Sequence, residues 1–172
     1  MLTDTNLFDL AKRMSVPLER VCFKDELSEE QLVYNRSYII NLEDEFDADT
    51  GEPNGGTHWC AFQMNKYPNG RVDGIYFDSY GVGPPEDVKK FCGPGLASTS
   101  KNIQGLFDNY CGWACLALLH YINSARNRTK DLYSDVETFL DFFEDLAKEK
   151  MDSHNEFVLK QFFKKPKIAL NF

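Results

Sequence analysis

No two of the five cysteines (Cys22, Cys60, Cys92, Cys111, Cys115) form a C-x-x-C pair, and their number is odd. That spacing argues against a disulfide framework and against a zinc ribbon; a reducing compartment follows, and neither a metal site nor a cofactor is expected. Long apolar runs are missing as well. Nothing approaches the roughly 18 residues of a membrane span, and Met1 to Arg20 has no basic segment followed by an apolar one, so a soluble, unsecreted chain without membrane contact is expected. Positive charge is short: 19 Lys and Arg stand against 27 Asp and Glu, a net charge of -8. Such a surface repels phosphates and makes nucleic acid an unexpected partner, with a local exception in Lys160, Lys164, Lys165 and Lys167. Repeats and long linkers are absent too, and 172 residues, 42% of them hydrophobic, fit one monomeric domain over 1–172, within the usual size of about 100–200 residues.

Leu7, Leu10, Ala11 and Met14 mark one face of a short helix that Pro17 must end. Residues 37–42 read as a buried strand. An acidic loop, Glu43 to Glu52, leads through Asn54-Gly55-Gly56 to a second strand, His58 to Met64. Tyr67-Pro68-Asn69-Gly70 is a hairpin signal in which Asn-Gly supplies positive φ, so a third strand, Arg71 to Phe77, runs back along the second. Pro84-Pro85 precedes a short helix from Glu86 to Phe91, the polar stretch from Ser98 to Gln104 reads as a further strand, and Cys111 to Ile122 is a strongly apolar helix. Capping boxes at Ser134-x-x-Glu137 and Ser153-x-x-Glu156 open two more helices, the first continuing through Phe139, Leu140, Phe143, Leu146 and Ala147, the second stopped by Pro166.

Chemistry gathers around Cys111. It opens an apolar helix, where backbone N–H groups favour a thiolate, and Gly112 is expected to leave room for a substrate backbone. The local string alone also fits a buried structural cysteine, the reading preferred for Cys115. His58, one of three histidines, stands at the start of a strand, a rigid perch for a general base but also a common capping position; His120 and His154 read as structural. Asp78 closes the strand paired with that of His58, so the two lie at one end of the sheet, as a carboxylate that orients a base requires; an aspartate opening a turn is the competing reading. Gln104, seven residues before Cys111, is a candidate oxyanion donor.

Together, Gly55-Gly56-Thr57-His58-Trp59, Phe77-Asp78-Ser79-Tyr80-Gly81 and Gln104 to Cys111-Gly112-x-x-Cys115 resemble, in order and spacing, the adenovirus protease family within the Ulp1-like clan of cysteine proteases. The resemblance covers Gly55 to Leu119. It implies an α+β, papain-like core with a central mixed sheet, catalytic His58, Asp78, Cys111 and Gln104, and a supporting role for Gly56, Gly112 and Trp59, the indole packing over the imidazole. It further implies cleavage of capsid and virion precursors at glycine-containing sites, in the virion and in the host cytoplasm or nucleus, and the short chain suggests a virophage of the mavirus or polinton type. The third member is Asp78 where the adenoviral enzyme has Glu. That enzyme is activated by DNA and by a disulfide-linked peptide; here Cys92, near the equivalent cysteine, precedes Gly-Pro-Gly, which weakens the expectation of an activating peptide. Alternatives are a protease of ubiquitin-like modifiers, whose Gly-Gly tails need the same narrow slot, and a non-catalytic binding module. The acidic loop either borders the cleft and steers basic substrate segments or is merely solvated.

Overall fold

A computed structural model describes residues 1–124, 131–147 and 153–172. Five strands form one mixed sheet in sequential order: β1 (Leu18–Phe23), β2 (Ser37–Asn41), β3 (Trp59–Lys66), β4 (Val72–Phe77) and β5 (Leu96–Ser98). The outer pairs, β1 with β2 and β4 with β5, are parallel; β3 runs antiparallel to both neighbours. The helices are α1 (Asp4–Arg13), α2 (Glu86–Cys92), α3 (Cys111–Asn123), α4 (Leu132–Asp141) and α5 (Ser153–Gln161), with a 3₁₀ turn at Lys24–Glu29.

Both faces of the sheet are buried, which is why its central strands are apolar along most of their length rather than alternating. Ile39, Trp59, Ala61, Ile75 and Phe77 share a core with α1, α3, α4 and α5. The intervening residues Tyr38, Ile40, Cys60, Phe62, Met64 and Tyr76 meet the 3₁₀ turn and α2 on the other side. Sandwiched in this way, α3 buries eleven of its residues; a helix apolar on every side belongs inside. Its far end is tied to the sheet by a buried polar cluster: Ser37 donates to Gln63 Oε1 at 2.6 Å, and Asn123 Nδ2 donates to the same oxygen at 2.9 Å.

Several sequence expectations shift. Strand β1 carries Glu19 and Arg20 at its edge, so its periodicity is masked. The strand expected over Ser98 to Gln104 lies at Leu96–Ser98 instead; beyond it the chain is irregular, with Ile103 N–H and Gln104 N–H both donating to the Ser79 carbonyl. Helix α4 begins at Leu132, ahead of the expected box, because the Asp131 side chain accepts from Tyr133 N–H and caps it, and it ends at Asp141 rather than running on to Ala147. At the hairpin only Gly70 has positive φ, at 85°; Asn69 does not, which is the pattern of a three-residue loop closed by a left-handed glycine.

Candidate active site

The register of β3 against β4 assembles the centre of the site. Phe62 pairs with Tyr76 and Ala61 with Phe77; continued toward the end of the sheet, that register brings Cys60 opposite Asp78 and His58 opposite Tyr80. The side chains follow. His58 Nε2–H donates to Asp78 Oδ1 at 2.8 Å, and the Tyr80 ring stacks on the imidazole with centroids 4.8 Å apart and planes 27° from parallel. Asp78 is 1% exposed, and the same Oδ1 accepts Tyr80 N–H at 2.8 Å. With Nε2 engaged, Nδ1 is the ring nitrogen left for a thiol.

From the other layer, Cys111 reaches the imidazole as the first residue of α3. One turn further along, Cys115 Sγ donates to the Trp59 carbonyl at 3.4 Å, fixing the start of the helix against the residue after His58. Cys115 is fully buried, as its structural reading requires. Burial by itself would lower the basicity of His58, but the hydrogen bonds to Asp78, Cys111 and Cys60 outweigh it and raise the imidazole well above its ordinary range. A carboxylate held against the ring stabilises positive charge on it as that charge develops.

Gln104 is 1% exposed and fully engaged. Its Oε1 accepts from Ser79 Oγ at 2.7 Å, and its amide donates to Tyr80 Oη at 3.2 Å and to the Asp108 carbonyl at 2.6 Å. Three consecutive residues thus divide the work of holding the site: Asp78 takes the imidazole, Ser79 takes Gln104, and Tyr80 takes both. Gly81 makes this possible. At φ 75° its missing side chain would lie 2.5 Å from the Ser100 carbonyl oxygen, so no other residue lets the strand end come so close to the segment bearing Gln104.

Two supporting residues differ from expectation. Trp59 does not cover the imidazole: successive strand residues face opposite sides, and its indole N–H donates to the Leu2 carbonyl at 2.9 Å within the α1–α3 core. Tyr80 takes that place, already visible as the aromatic of Phe-Asp-Ser-Tyr-Gly but with no role evident from the string. Gly112 faces the same core. A side chain there would meet Leu2, Leu7 and Trp59 at 3.3 Å, so the glycine lets α1, α3 and β3 pack closely rather than clearing space for a substrate. Gly56, with φ 76° and Asn41 Nδ2 only 2.5 Å from where a side chain would begin, shapes the turn into His58. Together with Gly55 and Trp59 it lines an open groove of about 570 Å³ whose walls also carry Asp4, Glu26 and Glu45.

Cys60, absent from the sequence-level site, also contacts His58; burial raises its thiol to about 11, against the opposing pull of the imidazole. The signal was its spacing, two residues along the same strand and hence on the same face. His120 and His154 bond to backbone carbonyls, of Met14 at 2.8 Å and Phe142 at 3.3 Å. Cys92 is 5% exposed, its thiol raised to about 12 by burial.

No protein-family model matches the sequence, and no curated protein does. In three dimensions the chain is similar to the ASFV pS273R protease, known from a crystal structure, with a TM-score of 0.53 and 15% identity over 92% of this chain. It spans 66% of the length of that protease. The architecture is therefore α+β with a central mixed sheet and flanking helices, the papain-like fold of the Ulp1 type found in a viral protease.

Proposed function

We propose that the chain is a viral cysteine endopeptidase. The observation that carries this reading is the His58–Asp78 hydrogen bond at 2.8 Å with the Cys111 thiol against the same ring at the N-terminus of α3. Asp78 holds the imidazole in orientation and stabilises its protonated form. His58 takes the Cys111 proton as the sulfur attacks a peptide carbonyl, then gives it to the departing amine; water, deprotonated by His58, releases the acyl-enzyme. The Cys111 backbone N–H and the Gln104 amide stabilise the oxyanion. For that role Gln104 must exchange its bond to the Asp108 carbonyl for one to substrate, so substrate binding and a shift of the turn at 105–108 are linked.

The groove beside Gly55-Gly56 is the proposed substrate track, and Glu45 on its wall brings the acidic loop to the cleft, which favours basic substrate segments. Capsid or virion precursors cut at glycine-containing sites, in the virion or infected cell of a small double-stranded DNA virus of the mavirus or polinton type, are the proposed setting; it rests on the motif resemblance. Activation by a disulfide-linked peptide is not part of the proposal, since the buried Cys92 offers neither access nor thiolate.

The test is cleavage of a capsid precursor and of glycine-containing peptides by wild type and by Cys111→Ala. Loss of at least ~10³-fold in the variant is expected; undiminished cleavage would remove Cys111 from the mechanism. A ubiquitin-like vinyl sulfone that labelled Cys111 while capsid peptides stayed intact would move the substrate to a modifier.

A further inference from the structure

Beyond the thiol assigned to catalysis, the imidazole has a second sulfur neighbour. A ring nitrogen of His58, Cys60 Sγ and an Asp78 carboxylate oxygen all lie within 4.8 Å of one another. Nitrogen, thiolate and carboxylate are the donors that zinc and its congeners take in tetrahedral sites. Bond lengths of ~2.0–2.3 Å place tetrahedral ligand atoms about 3.3–3.6 Å apart. The Nε2–Oδ1 pair, 2.8 Å apart, must therefore open by about half an ångström, and the sulfur must close by about an ångström. The three residues face one side of the β3–β4 pair, so the adjustments are asked of side chains and not of the backbone.

A separate observation points to the same place. The Tyr76 hydroxyl is fully buried, lacks a partner of ordinary geometry, and has the Cys60 sulfur beside it on the same face of the sheet, where the two side chains share a weak hydrogen bond. A metal-bound Cys60 thiolate would accept its proton as a strong hydrogen bond, the outer support that metal-ligating groups characteristically have. Entry is through His58, whose side chain keeps 13% exposure while Asp78 keeps 2%.

We propose that His58, Cys60 and Asp78 form a binding site for a zinc-class divalent cation, with a fourth position open to water, and that filling it arrests the enzyme reversibly. The metal takes Nε2 and an Asp78 oxygen, the ring proton shared by that pair moves to Nδ1, and the Cys60 proton leaves to solvent. With Nε2 on the metal and Nδ1 protonated, His58 has no lone pair to accept the Cys111 proton, and Asp78 no longer orients it. The arrest rests on the protease reading; the binding site does not.

The experiment is titration of the reduced, chelator-stripped protein with cobalt(II) and then zinc(II), followed by thiolate-to-cobalt charge-transfer absorption and visible ligand-field bands. It is run on wild type, Cys60→Ala, Cys60→Ser, Asp78→Asn and Cys111→Ala, each checked for folding by circular dichroism. One tetrahedral cobalt per chain is expected in wild type and in Cys111→Ala, displaced by zinc, with affinity lowered at least tenfold in both Cys60 variants and in Asp78→Asn. Peptide cleavage by wild type should fall at least tenfold in micromolar zinc and return on chelation, while the ratio of rates with and without zinc stays near one in Cys60→Ala. Absence of binding in wild type, or binding unchanged in folded Cys60→Ala and Cys60→Ser, overturns the site. Loss of binding in Cys111→Ala with retention in Cys60→Ala would transfer it to the other thiol and equally overturn it. Because Cys111→Ala has no nucleophile, its cobalt spectrum reports the site even if the protease reading fails.

Discussion

Two cysteines approach one imidazole from opposite layers, and their surroundings assign them opposite chemistry. Cys111 begins a thirteen-residue helix, where aligned peptide dipoles present the equivalent of about half a positive charge to the sulfur. Cys60 sits in the middle layer of a sheet, with no such dipole, between Phe62 and Tyr76 on a fully buried face. Contact with a histidine does not by itself separate the two thiols; the backbone behind the sulfur does. Elsewhere α3 is ordinary core: Cys115, one turn in, is fully buried, and burial raises its thiol well above the ordinary range.

The largest effect that separates the two thiols is their reactivity. Brief treatment of the folded protein with iodoacetamide at neutral pH should modify Cys111 at least ~10²-fold faster than Cys60, read by peptide mapping, and His58→Ala should slow Cys111 while leaving Cys60 unreactive. Equal labelling would collapse the distinction. Next in size, Asp78→Asn should reduce peptide cleavage by ~10²–10⁴-fold while circular dichroism stays unchanged, because the amide keeps the shape but neither fixes the imidazole tautomer nor stabilises its charge.

Alkaline stability sharpens the contrast from the inert side. Burial holds the Cys22 and Cys60 thiols at about 11 and Cys92 at about 12, above the ~8.5 of an unfolded thiol. Above that unfolded value the folded chain retains protons that the unfolded chain has lost, so stability falls as pH rises, by about 1.4 kcal/mol per pH unit per thiol, until the folded values are reached. Denaturant unfolding between pH 8 and 10.5 should show this decline, and Cys60→Ala should flatten it by about one such increment. The smallest effect belongs to Tyr80. Loss of its ring in Tyr80→Ala should cost about 0.5–1.5 kcal/mol of positioning, a ~2–10-fold drop in cleavage, and Tyr80→Phe should recover most of it because the stacking survives without the hydroxyl bond to Gln104.

Much of this was legible in the chain. The hairpin logic brought His58 and Asp78 to one end of the sheet, and the apolar run after Asn109-Tyr110 set Cys111 at a helix start, because both depend on local periodicity and turn chemistry. Tertiary choices were not legible. Trp59 and Tyr80 are both aromatic neighbours of the site in sequence, and only pairing of the strands shows that strand alternation turns Trp59 away while Tyr80 falls opposite His58. Gly112 reads as clearance until α1 is seen against it. Strand β1 was hidden because an edge strand tolerates Glu19 and Arg20, and Cys60 because its spacing puts it on the face of His58 without showing what lies across the ladder. Gln104 was legible as a residue but not in its resting partners, which come from three other positions in the chain.

The glycine-closed loop at Tyr67–Gly70 lies about 27 Å from Asp78 along β4, given about 3.4 Å per strand residue, yet it is the gauge block of the candidate site. Everything opposite His58 is counted from it. A one-residue slip would turn Asp78 to the opposite face together with every core side chain of β4, so the buried faces that hold the sheet together also hold His58 against Asp78. The chemistry at one end of the sheet is measured out by the packing along its length.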